Sequence, residues 1–147
     1  MTSTVTPAEL QVCTFLVGGL LLGLPLADVA EVVSGQEVTP VPLAPAAVVG
    51  LFNLRGRIVT VVDARARLGL PPREESEGSA HVIVTVGGDT TSLVVDRASD
   101  VLTLAADDAE AEPETVPARI QHLVTASYQR PQGLLLVLDP SHVLSTG

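Results

Sequence analysis

Residues Gly50 to Asp63 read G-L-F-N-L-R-G-R-I-V-T-V-V-D, two apolar arms meeting at Asn53-Leu54-Arg55-Gly56. The second arm is rich in β-branched residues, which suit a pleated strand better than a helix. Gly56 supplies the backbone freedom that a tight reversal requires. The stretch therefore predicts a β-hairpin with Arg55 at its tip. Arg55 is either an ordinary solvated turn residue or a group presented to a partner, and spacing alone leaves both open.

Strand and turn signals recur at short intervals along the rest of the chain, the pattern of an all-β barrel or sandwich. Leu10 to Val17 and Leu20 to Leu24 flank Gly18-Gly19, and His81 to Val86 and Thr90 to Val95 flank Gly87-Gly88-Asp89. Val101 to Leu104 and Leu134 to Leu138 read as further strands. Leu26, Val29, Ala30 and Val33 fall at helical spacing and predict about two turns of helix. Ala64 to Leu68, closed by Gly69, predicts a short helix. Asp139 and Pro140 stand where an N-cap and first helical residue belong, so a second short helix should follow. The polar stretch Pro71 to Ser79 predicts a solvated linker dividing residues 10–145 into two subdomains, and the carboxylates of Asp107 to Glu114 predict an acidic loop. Val61-Val62-Asp63 and Val94-Val95-Asp96 echo one another, with Val137-Leu138-Asp139 a third copy, suggesting two related barrels.

Of the 147 residues, 46% are hydrophobic but only 2% aromatic, so the core must be built from Val, Leu, Ile and Ala. The net charge of -9 excludes the basic face a nucleic-acid binder needs. The basic residues are all arginines, and Arg55, Arg57, Arg65 and Arg67 form a locally positive stretch, either a solvated strand edge or a site for an acidic partner. Cys13 is the single cysteine, so no internal disulfide forms and a reducing, cytoplasmic compartment is expected. The uncharged run from Leu10 to Ala27 is broken by Gly18-Gly19, Gly23 and Pro25 and has no preceding Lys or Arg. It predicts a hairpin, with no direct membrane insertion.

Catalytic signals are weak. Asp63 and Asp96 on paired barrels could share a proton and activate water, which makes a small β-barrel hydrolase the alternative from the enzyme class. Their triplets, D-A-R and D-R-A, lack the small-residue loop that such chemistry uses, and a strand-end aspartate more often bonds nearby N–H groups or an arginine. His81, His122 and His142 lie far apart with no ligand-pair spacing, and the glycine-rich turns lack a phosphate-loop lysine. No metal and no cofactor are expected.

The Gly50–Asp63 run resembles the G-x-x-N-L-R-G-x-I-x-P-V-V-D-L signature of the CheW-like family of chemotaxis adaptors. Phe15 to Val32 is similar to that family's opening hairpin and V-x-E-[IV] segment. Thr91 to Leu104, T-S-L-V-V-D-R-A-S-D-V-L-T-L, is similar to a third family segment. The resemblance implies two intertwined, five-stranded SH3-like β-barrels with short helices and terminal strands that can be exchanged between barrels. It implies a non-catalytic scaffold binding a chemoreceptor cytoplasmic tip and the regulatory domain of a histidine kinase, in a chemotaxis array or another two-component or motility-linked one. By this resemblance Arg55 faces the receptor tip, Glu31 and Val29 line the same groove, and Asn53 and Gly56 shape the hairpin; the kinase-contact residues are not assigned. Leu26, Val29 and Val33 are either core or kinase-facing.

The chain departs from the family pattern in three places. Thr60 replaces its usual proline, and the glycine common before the last hairpin has no clear counterpart. Leu20 and Leu21 stand where charge is common. They either face the core or form an apolar surface patch: adjacent strand residues face opposite sides, so at least one is expected to be substantially exposed unless another element or partner covers it.

Overall fold

The computed structural model describes residues 9–73, 79–109 and 116–145. Ten strands run in chain order: β1 (Glu9–Val17), β2 (Leu20–Pro25), β3 (Val29–Val33), β4 (Val48–Leu54), β5 (Arg57–Asp63), β6 (Ala80–Val86), β7 (Asp89–Val95), β8 (Arg97–Ala105), β9 (Val124–Arg130) and β10 (Gly133–Leu138). Helix α1 (Ala64–Leu68) follows β5, and α2 (Pro140–Val143) follows β10. The strands form two five-stranded sheets ordered β8-β1-β2-β10-β9 and β3-β6-β7-β5-β4. Each sheet curls shut through an isolated bridge between its ends, Ala109 to Tyr128 in the first and Thr39 to Leu51 in the second. The result is two small barrels, barrel 1 and barrel 2.

The two sheet orders superpose with a constant offset of five strands: β1 matches β6, β2 matches β7, β3 matches β8, β4 matches β9 and β5 matches β10. The chain is thus two tandem β-β-β-β-β-α units. Each barrel takes the first two strands of one unit and the last three of the other. The equivalent strand ends are Asp63 and Asp139, which cap α1 and α2 with nearly the same backbone angles, φ -86°, ψ 115° and φ -83°, ψ 116°. The Val-Val-Asp echo between β5 and β7 is therefore not the repeat; those strands are parallel neighbours in barrel 2.

This exchange also relocates the expected boundary. Pro71 to Ser79 joins α1 to β6, and the strands on both sides belong to the same sheet. The chain changes barrels at Leu26–Asp28, between β2 and β3, and at Asp96, between β7 and β8. Residues 74–78 and the expected acidic-loop residues 110–114 lie outside the described segments.

Three apolar clusters follow from the layout. Val12, Leu21, Leu104, Tyr128, Leu135 and Val137 fill barrel 1, and Phe52, Val59, Val61, Ile83 and Val94 fill barrel 2. The largest lies between them, joining Phe15, Leu22, Leu24, Leu136 and Leu138 to Val62, Val82, Val84, Leu93 and Val95. A fully buried Leu or Val contributes about 1.5–3 kcal/mol, so this shared layer alone binds the barrels into one body. Strands such as β2 and β10 are therefore buried on both faces. Of the two readings of Leu20 and Leu21 the fold supports the core: Leu21 is buried inside barrel 1, and Leu20 is half-buried against the shared core.

The predicted helix over Leu26 to Val33 is also corrected. Only Leu26–Asp28 forms a 3-10 turn, and Val29–Val33 pairs antiparallel with β6. Its three valines carry β-branched side chains that favour the pleated edge over a helix. Strand β9 and the 3-10 segment Ala118–Leu123 have no counterpart in the expectations.

A clasp ties the barrels at the Asp96 crossover. Its carboxylate accepts from Arg65 Nε at 2.9 Å and Arg65 Nη2 at 2.6 Å, and from the Gly18 amide of the β1–β2 turn at 2.8 Å. The Asp96 amide donates to the Leu16 carbonyl at 3.0 Å. The Arg65 fork, the Gly18 bond and nearby Arg73 hold the Asp96 carboxyl below the usual carboxylate range against partial desolvation. A carboxylate with a depressed folded pKa stabilises the fold above its unfolded value of about 3.9, and that contribution disappears as pH falls through the lower folded value. Asp96→Asn is expected to cost about 1–2 kcal/mol in urea unfolding at pH 7. The gap to the parent protein should narrow steadily below about pH 4; a gap independent of pH would deny the charge its role.

Candidate functional site

The β4–β5 hairpin closes through two residues, Arg55 and Gly56, both with positive φ, 52° and 87°. That pair of angles defines the type I′ reversal, whose twist matches the flanking strands. Asn53 Oδ1 accepts from the Gly56 amide at 2.8 Å and braces the turn. Arginine in a left-handed conformation is uncommon, so the local backbone works against an intrinsic preference to hold this side chain at the tip.

Glu31 reaches Arg55 from β3. A β-bulge between Val29 and Glu31 interrupts the pairing with β6, an irregularity of the kind that re-aims side chains. The carboxylate accepts from both terminal nitrogens of Arg55, at 2.5 Å from Nη1 and 2.8 Å from Nη2. This fork lowers the Glu31 carboxyl below its ordinary range and raises the Arg55 guanidinium. The pair lies at the surface, with 70% of the Arg55 side chain exposed and 31% of that of Glu31. A guanidinium has five N–H donors, so Arg55 retains three for a second acceptor while holding Glu31.

Around the pair is a shallow hollow walled by Leu54 and Val59 of the hairpin and by Ile83, Thr85 and Thr90 of β6 and β7. Arg57 lies on its rim. The structure thus brings together Glu31, Arg55, Asn53 and Gly56. Val29 does not line the hollow; it is half-buried against the shared core, as Val33 is against the interior of barrel 2. Thr85 and Thr90 went unassigned because β6 and β7 meet the hairpin only through the fold, whereas Arg57, on β5 of the hairpin itself, belongs to the arginine-rich stretch noted in the sequence.

Asp63 and Asp96 have other duties. Asp63 Oδ1 accepts from the Arg65 amide at 3.0 Å as the cap of α1, and Asp96 is held ionised in the clasp. A proton-sharing pair needs two carboxyls in direct contact, whereas both Asp96 oxygens are taken by Arg65 and the Gly18 amide. The hydrolase reading has no support in this geometry. Among the described residues no cluster of His, Cys, Asp and Glu is arranged to hold a metal, and no helix is long and apolar enough to cross a membrane.

A family model described as CheW-like domain matches residues 11–147. The chain belongs to the CheW-like family. Among curated relatives, the chemotaxis protein CheW of Treponema pallidum is 27% identical over 97% of this chain and 86% of its own length. That of Bacillus subtilis is 28% identical over 98% and 92%. That of Rhizobium meliloti is 33% identical over 71% and 67%. In three dimensions the fold is similar to the crystal structure of the scaffolding protein TtCheW from Thermoanaerobacter tengcongensis, with a TM-score of 0.80, 27% identity and 90% of each chain covered. The CheW-like chain is accordingly a chemotaxis scaffold of two intertwined barrels, with Glu31 and Arg55 on the surface of barrel 2.

Proposed function

We propose that this CheW-like scaffold couples the cytoplasmic tip of a chemoreceptor to a histidine kinase by binding the kinase's regulatory domain, as a non-catalytic cytoplasmic protein recruited to membrane receptor arrays. The observation that carries the receptor half is the exposed Glu31–Arg55 fork, a charged pair held out by a type I′ turn with donors still available. Glu31, Asn53, Arg55 and Gly56 form the receptor-facing surface, and Val29 supports the strand from which Glu31 projects. Kinase contact falls to apolar side chains elsewhere, for which Leu43 and Val101 are available, the former fully exposed and the latter 52% exposed. Transient signalling interfaces need less than about 1,200 Å², so two barrels can offer two separate faces.

Two faces predict simultaneous binding. Titrating a receptor-tip fragment into a preformed complex of this protein with the kinase regulatory domain should yield a ternary species by size exclusion with light scattering. Coupling between the two partners should be modest. Quantitative release of the kinase domain would show that they share one surface and would overturn this mechanism.

A further inference from the structure

Barrel 2 has a second mouth, at the end of β4 and β5 away from the hairpin turn. There the structure leaves a cavity of about 350 Å³, within the range of about 300–1,000 Å³ usual for small-molecule sites. It shares no lining residue with the hollow around Arg55. Val49, Val61 and Val94 form its apolar wall, and Asp63, Arg73 and His81 bring polar groups to it.

Among the described residues, Asp63 and Arg73 keep hydrogen-bonding capacity for a ligand. Asp63 spends Oδ1 on the α1 cap, and among the described residues Oδ2 has no partner. Arg73 lies 3.9 Å from Asp96, whose carboxylate is already bound by Arg65 and Gly18. Asp63 and Arg73 therefore face one cavity as opposite charges that do not pair with each other. His81 is only 3% exposed, with its Nδ1 2.9 Å from Ser92 Oγ and its ring edge against Phe52. Its ring forms part of the cavity wall.

Charge decides the class of ligand. A simple anion would suit Arg73 but meet Asp63, a simple cation the reverse, and a hydrocarbon would desolvate both without compensation. We propose that this mouth of barrel 2 binds a small zwitterion with an aliphatic side chain, the class that includes free leucine and valine. The carboxylate sits at Arg73, the ammonium at Asp63 and the aliphatic group against Val49, Val61 and Val94. The site is independent of receptor and kinase binding and would stand if those assignments failed.

Leucine titrated into the full chain should shift the His81 ring resonances saturably in ¹H–¹³C spectra, while exposed His122 and His142 serve as internal references. 4-Methylpentanoate, which lacks the ammonium, and isopentylamine, which lacks the carboxylate, should each bind at least about tenfold more weakly. Arg73→Gln should weaken leucine by a similar factor and lower the melting temperature of the unliganded protein only slightly, because Arg73 is the smallest of the influences that hold Asp96 ionised. If that variant is itself destabilised, the analogue series on the parent protein decides. A His81 signal unmoved by leucine up to about 10 mM, or an analogue with one charge that binds as well as leucine, would overturn the proposal.

Discussion

Arg55→Ala is expected to weaken binding to a chemoreceptor-tip fragment by about tenfold to a hundredfold, in line with the loss of charge-assisted hydrogen bonds. The fold should be almost unaffected. Arg55 is 70% exposed and makes no core contact, and exposed ion pairs add little to stability. Alanine has the same Cβ as arginine, so the left-handed backbone strain at this position is carried over unchanged. Glu31→Gln distinguishes two uses of the pair. If Glu31 only orients Arg55, the amide, which still accepts a hydrogen bond, retains most of the affinity; if Glu31 itself meets a basic group on the receptor, the loss approaches that of Arg55→Ala. The measurement is a calorimetric titration of the same fragment into each variant, with thermal unfolding alongside. An Arg55→Ala variant that melts as low as a core mutant, with affinity loss explained by unfolding, would return Arg55 to a structural role.

What the sequence discloses here is local chemistry. The β4–β5 hairpin, the Asp139 cap and the closure of α1 at Gly69 are legible, because each is decided within a few residues. Leu26 to Val33 was not, since Leu26, Val29, Ala30 and Val33 satisfy a helical spacing that pairing with β6 overrides. Two-sided burial hid the strand faces: Leu135 and Val137 belong to barrel 1, while Leu136 and Leu138 belong to the shared core. Such a run has no alternation to read, and the same cause leaves Leu20 and Leu21 open in the sequence between core and surface patch. The exchange of strands between units is wholly non-local, which is why Pro71 to Ser79 resembled a boundary. Of the candidate site, Arg55 and Glu31 came from family resemblance and their mutual fork from the fold. The cavity at the other mouth draws Val49, Asp63, Arg73 and His81 from separate elements and left no mark on any short stretch of sequence.

Gly50→Ala is expected to be among the most damaging single substitutions in barrel 2, costing about 3 kcal/mol or more in chemical unfolding. Gly50 lies beside the place where that barrel closes: the Thr39 amide donates to the Leu51 carbonyl at 2.7 Å, and the Leu51 amide to the Thr39 carbonyl at 2.9 Å. A Cβ on residue 50 would stand 2.7 Å from the Thr39 carbonyl carbon and closer still to its oxygen. The obstructing atoms are backbone, so no side-chain rotation relieves the contact. Either both closing bonds break or β4 shifts at its bulge between Val48 and Gly50, which would move the strand whose far end carries Arg55. Hydrogen exchange separates these outcomes, since loss of closure alone deprotects the Thr39 and Leu51 amides while β1, β2 and β10 of barrel 1 keep their protection. Gly35→Ala is the control: that glycine also has positive φ, 69°, but a Cβ there meets nothing within 4 Å. It should therefore cost only the backbone strain of about 1–2 kcal/mol. Equal losses in the two variants would mean that conformation, not the approach of Thr39, makes Gly50 necessary.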